Sequence, residues 1–188
     1  SVGASQLVDS SIALGKLSAT GTKDATTFLR GDNTFAEAGG GVNTPAFEAQ
    51  LGSSQVPSND TNTKIQFNTE NFDTDNDYDN STNYRFTPSV AGKYFVYSKV
   101  RFQSGSASEL ADTGLLIYKN GSLEIETFTL FRNNYEQAHT VTAYGIIDMN
   151  GSSDYLEIYG KLRVNSGSLE GFIGGSKQSI FGAYKIIE

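Results

Sequence analysis

The chain has 188 residues, a formal net charge of −7 and no cysteine, with only 37% hydrophobic residues. These features exclude a disulfide framework, a thiolate metal site and a cysteine nucleophile. The absence of any Lys/Arg cluster longer than two residues argues against nucleic acid as a partner. No run of about 18 apolar residues is present, which argues against membrane insertion through a helical span, and the first residues lack the charged and apolar regions of a secretory signal. A start at Ser1 reads as processing or excision from a longer protein. Twenty glycines, 12 Phe and 10 Tyr in a chain rich in Ser, Thr, Asn and Asp predict short, aromatic-rich strands joined by many turns.

Residues 1–42 form the first compositional block. Leu7, Ile12, Leu14 and Leu17 are thinly spread among Ser, Ala, Gly and Thr, too little apolar surface for an independent core. The expectation is an extended stalk or attachment segment. Within it, "FLRGDNTF" (28–35) contains Arg30-Gly31-Asp32, the tripeptide that animal adhesion receptors recognise. Gly, Asp and Asn in succession favour a turn between two short extended pieces, with Leu29 and Phe35 as apolar flanks. Gly39–Gly41 then marks a boundary, and residues 43–188 are predicted to form the head.

From Thr44 onward apolar residues alternate with polar ones. The predicted strands are 46–51, 63–68, 83–87, 92–103, 114–119, 123–131, 138–149, 155–163, 171–174 and 179–187. Ten short strands at that spacing predict an all-β antiparallel sandwich or barrel. Asn120-Gly121 and Asn150-Gly151 each lie between strand patterns and supply the positive φ angles of tight hairpins. The final "SIFGAYKIIE" runs apolar almost to its end, as a terminus tucked into the fold would.

Two stretches carry resemblances. In "YRFTPSVAGKYFVYSKVRF" (84–102), Phe86, Gly92 and Tyr94 match the central signature of the globular heads of complement component 1q and the tumour necrosis factor superfamily. "IQFNTENFDTDNDYDNSTN" resembles the Asp/Asn-rich stretch that precedes this signature in bacterial and phage members, and "SIFGAYKI" the closing strand. The resemblance covers residues 44–188 and implies a ten-stranded jelly roll assembling as a trimer. With Tyr94 and Val96 facing the interior, parity places Phe95 and Tyr97 toward neighbouring subunits, together with Lys99; Ile180 of the closing strand joins that interface. Residues 6–41 resemble bacteriophage tail and head fibre stalks, which implies that Leu17 and Phe35 also pack around the trimer axis.

Residues that could carry chemistry are few. His139 is the only histidine, so neither a triad nor a histidine metal site is expected. Asp73, Asp75, Asp77 and Asp79 alternate as calcium ligands can, but Tyr78 and Tyr84 stand where an EF-hand loop needs Gly and Glu. A looser calcium site or a solvated acidic loop remain as readings, and no other cofactor is expected. Glu124, Glu126, Asp148 and Glu157 show no spacing that singles out a catalytic pair, so no enzyme is expected. Tyr78, Tyr84 and Tyr135 lie in polar contexts where they can stack on sugars or serve as packing lids. Asn-X-Ser/Thr triplets at Asn59, Asn80, Asn120 and Asn150 follow from composition. The leading expectation is a trimeric virion fibre or spike on the particle surface, attached to other virion proteins through its first 42 residues and binding a bacterial surface receptor. The alternative is a capsid decoration or cement protein.

Overall fold

The computed structural model describes residues 18–37, 43–106, 108–132 and 135–186. The chain divides into two compact units, Ser1–Gly41 and Val42–Glu188. The expectations for Leu7, Ile12, Leu14, Leu17 and Gly39–Gly41 fall outside the described residues.

In the first unit, β1 (Thr27–Leu29) and β2 (Phe35–Glu37) pair antiparallel. The turn between them is the Arg-Gly-Asp segment. Asn33 takes a φ of 63° and donates its amide to the Arg30 carbonyl at 3.0 Å, while Arg30 donates to Thr34 at 2.8 Å. The Asp32 carboxylate accepts from the Thr34 amide and hydroxyl at 3.1 and 2.6 Å. Arg30 and Asp32 are therefore both engaged in the local turn, while the space around Gly31 is open. Phe35 is buried, with the Lys23 ammonium 5.8 Å from its ring centre, and Leu29 is exposed.

The second unit is a sandwich of two antiparallel sheets. One sheet, called I, has the order β11-β8-β14-β3-β5, with β13 pairing the far end of β8. These strands are β3 (Ala46–Gln50), β5 (Thr69–Asp73), β8 (Gly92–Ser104), β11 (Ala138–Met149), β13 (Leu169–Phe172) and β14 (Ile180–Lys185). Sheet II has the order β10-β9-β12-β7-β6, with β4 also pairing β12. Its strands are β4 (Thr63–Lys64), β6 (Tyr78–Asp79), β7 (Arg85–Phe86), β9 (Leu110–Lys119), β10 (Ser122–Leu130) and β12 (Leu156–Val164).

Alternation in the long strands sends one face of each sheet inward. Phe47, Phe67, Phe86, Tyr94, Phe102, Phe172 and Phe181 are fully buried between the sheets. Phe47 is their hub, with ring centres at 4.4 Å to Phe86, 4.6 Å to Tyr78 and 4.8 Å to Phe181. Such offset and edge-on contacts add about 0.5–1.5 kcal/mol per pair beyond area burial.

Three sequence expectations need correction. The ladder of predicted strand 63–68 ends at Lys64, although Ile65 and Phe67 remain buried. The Asp/Asn-rich stretch, read as loop, contributes β5 and β6, because Tyr78 is drawn into the core and its hydroxyl donates to the Phe67 carbonyl at 2.9 Å. Asn120-Gly121 does turn the β9–β10 hairpin, at φ 52° and 78°. Asn150-Gly151 does not make a hairpin: it crosses from β11 in sheet I to β12 in sheet II. There the Asn150 side-chain oxygen accepts from the amides of Ser152, Ser153 and Asp154, each at 3.0 Å, and winds the crossing.

Candidate functional site

Strand β8 determines what lies on the outer surface of sheet I. Tyr94, Val96, Ser98, Val100 and Phe102 are fully buried, and the intervening Phe95, Tyr97, Lys99 and Arg101 point outward, in the parity expected from sequence. Ladder register then gathers residues from distant parts of the chain. Tyr144 lies opposite Tyr97 and Ile146 opposite Phe95 on one side; Gly182 and Tyr184 occupy the same places on the other. The Phe95 ring sits 5.5 Å from Tyr184, 6.1 Å from Tyr97 and 6.2 Å from Tyr144. Tyr144 and Ile146 are 64% and 62% exposed, a degree unusual for adjacent large apolar side chains on one flat sheet. Ile180 lies at the patch's edge beside Lys99, for which no ion pair forms among the described residues.

A missing side chain shapes this patch. A Cβ on Gly182 would lie 2.4 Å from the Tyr97 ring, so only glycine lets the phenol lie flat across β14. The Tyr97 hydroxyl donates to Glu48 at 2.9 Å, and Glu48 also accepts from Lys177 at 2.8 Å and Asn71 at 2.9 Å. Burial, and then the Glu48 bond, push the Tyr97 hydroxyl well above its usual range. Burial alone would raise Glu48, but the bonds from Lys177 and Tyr97 outweigh it and lower its carboxyl.

The acidic run does a different job. Asp73 accepts from the Tyr78 amide at 2.8 Å, and Asp77 from the Ser89 amide and hydroxyl at 2.7 and 2.9 Å. Asp75 accepts from the Thr74 hydroxyl. Asp79 takes the amides of Ser81, Thr82 and Asn83, led in effect by Thr82, which hold its carboxyl far below the usual range. The four carboxylates are thus spread along successive turns. Among the described residues no group of three acidic or histidine side chains gathers to hold a metal ion.

A polar concavity of about 480 Å³ opens beside this run, with Glu70, Asn76, Asp77, Asn80 and Arg85 in its wall. Tyr78 contributes to the wall but is itself buried, a core residue rather than an exposed ring for stacking. Tyr84 and Tyr135 are half-buried. His139 contacts Glu136 at 3.4 Å and packs edge-on against Phe131. Asp148 pairs with Lys93, and the buried Glu157 with Lys64, whereas Glu124 and Glu126 stand exposed on β10.

Sequence parity found Phe95 and Tyr97 but missed Tyr144, Ile146, Tyr184 and Glu48. The available signal was the equally strict alternation of β11; what could not be read was which strands lie beside β8.

No protein-family model matches the chain, and no curated protein matches it in sequence. Solved structures do match in fold. The globular domain of zebrafish complement 1qA protein superposes with a TM-score of 0.54 at 14% identity, covering 77% of this chain and 99% of that one. A structure of murine APRIL superposes with a TM-score of 0.55 at 10% identity, over 75% and 98% of the two chains. A second structure of murine APRIL gives 0.53 at 12% identity, over 75% and 99%. At such identities the likeness is one of fold: the second unit is a jelly-roll sandwich of the complement 1q and tumour necrosis factor type.

Proposed function

We propose that the chain is the subunit of a homotrimeric bacteriophage fibre or spike, whose head binds a receptor on the bacterial surface and whose first 42 residues attach it to other virion proteins. The observation that carries the assembly part is the aromatic cluster on sheet I, where Tyr144, Ile146 and Tyr184 are exposed beside the half-buried Phe95 and Tyr97. Burying apolar surface is worth about 25 cal/mol per Å², and Tyr144, Ile146 and Tyr184 are exposed on this face. The likeness to complement 1q and tumour necrosis factor-type heads supports the same reading. The virion assignment rests on the stalk-like sequence of residues 6–41. Threefold assembly would display three copies of every loop, so weak contacts would gain strength by avidity. In this reading the chain has no catalytic role.

Light scattering on the eluting full-length chain tests assembly: a mass of three chains is expected, and a monomer at micromolar concentration overturns it. Binding of the labelled trimer to host cells, competed by phage, tests the receptor role. A trimer that neither adheres nor competes favours the decoration-protein alternative.

A further inference from the structure

The concavity beside the acidic run has a composition that the fold does not require. Asp77 and Asp79 are committed to turn amides, but the side chains of Asn76, Asn80 and Arg85 make no hydrogen bond among the described residues. Glu70 receives no hydrogen bond there either; burial, and then Asp73, raise its carboxyl. Two amides, a guanidinium and a carboxylate thus present unused donors and acceptors to one space of about 480 Å³, within the range of about 300–1,000 Å³ typical of small-molecule sites. The Arg85 guanidinium lies 4.6 Å from the Tyr155 ring centre, a cation–π contact that holds its edge in place. Such preorganisation reduces the entropy lost when a ligand is bound.

Charge narrows the ligand class. Glu70, Asp77 and Asp79 against the single Arg85 leave the wall net negative, so phosphates, sulfates and acidic sugars are repelled. The wall is too polar for an apolar ligand, and the missing third metal ligand disfavours a cation. A ligand with adjacent hydroxyls fits: carboxylate and amide oxygens accept from them, while guanidinium and amide N–H groups donate to their oxygens.

We propose that this concavity, bounded by Glu70, Asn76, Asn80 and Arg85, binds a neutral saccharide unit. The inference rests on the receptor-binding reading above and places its contact site on the β5–β7 side of the head.

The test uses the full-length chain and saturation-transfer NMR with D-glucose, D-galactose, N-acetylglucosamine and, as anionic control, sialic acid. Saturation transfer to at least one neutral sugar and none to sialic acid is expected. In Asn80→Ala/Glu70→Gln, and separately in Arg85→Met, affinity is expected to fall at least fivefold with an unchanged melting temperature. Unchanged affinity in both variants, or preferred binding of sialic acid, overturns the site. Host-cell adherence separates this from the broader reading. Adherence by the wild type that both variants retain overturns the saccharide site while sparing receptor binding. A wild type that fails to adhere but still binds sugar at this site overturns the receptor reading instead.

Discussion

The central strands of the two sheets, β8 and β12, have similar residue content on their outward faces but different surroundings. Strand β12 presents Glu157, Tyr159, Lys161 and Arg163, and each charge has a partner: Lys64, Asp60 and Asp112 respectively for Glu157, Lys161 and Arg163. Tyr159 packs on Tyr118 at 4.5 Å with the Lys64 ammonium nearby. Strand β8 presents Phe95, Tyr97, Lys99 and Arg101 among apolar neighbours, and Lys99 has no carboxylate partner among the described residues. An outward face whose charges answer one another is finished for water. One flanked by exposed Tyr144, Ile146 and Tyr184 leaves apolar area in contact with water. The contrast lies in neighbours brought by register, not in the strands' own composition.

The largest effect is expected from Tyr144→Asp with Ile146→Asp. On the proposed interface the pair of charges should convert trimer to monomer by light scattering while leaving the far-ultraviolet dichroism intact; a surviving trimer means that this face is not the assembly surface. The core shared by both sheets provides the next largest effect. Phe47→Ala should cost about 3–5 kcal/mol by denaturant titration, because the hub ring touches Phe86, Tyr78 and Phe181.

On sheet II, Asp112→Ala should cost about 1–3 kcal/mol by the same measurement, since it strips the partner from Arg163. Among the described residues, the Asp112 Oδ1 and Thr113 Oγ1 atoms already lie buried without a hydrogen-bond partner, so the loss should fall short of that for a fully satisfied buried pair. The smallest effect should be pH-dependent. Glu48 has a lowered carboxyl pKa in the fold, from a reference of 4.5, so its contribution is fully present above that reference and lost as pH falls through the lower folded value. The melting temperature should therefore decline below pH 4.5, and Glu48→Gln should remove part of that decline. An identical acid profile in the variant would show that the Tyr97–Glu48–Lys177 network adds nothing.

Much of the fold was legible because its longest strands obey strict alternation. The ends of β11 match the sequence expectation, and β8 differs by one residue. What escaped was contextual. Asn150-Gly151 has the same dipeptide chemistry as Asn120-Gly121, yet the strands it joins belong to different sheets, and no local signal distinguishes a hairpin from a crossing. Tyr78 is surrounded in sequence by Asp and Asn, so its burial depended on Phe47, 31 positions away, offering a ring to stack against. The acidic run was legible as carboxylates but not as turn scaffolding, because sequence does not show which amides lack partners.

The position of β14 has a consequence for how the head is made. These six residues, Ile180–Lys185, lie between β8 and β3, pairing with both. The last strand of the head is therefore interior to sheet I, and until it arrives the edges of β3 and β8 have nothing to join them. Pairing across such sequence distances is slow. On the ribosome, sheet I can close only after Lys185 has left the exit tunnel, and a stop codon ahead of Ile180 would remove a strand from the interior of that sheet.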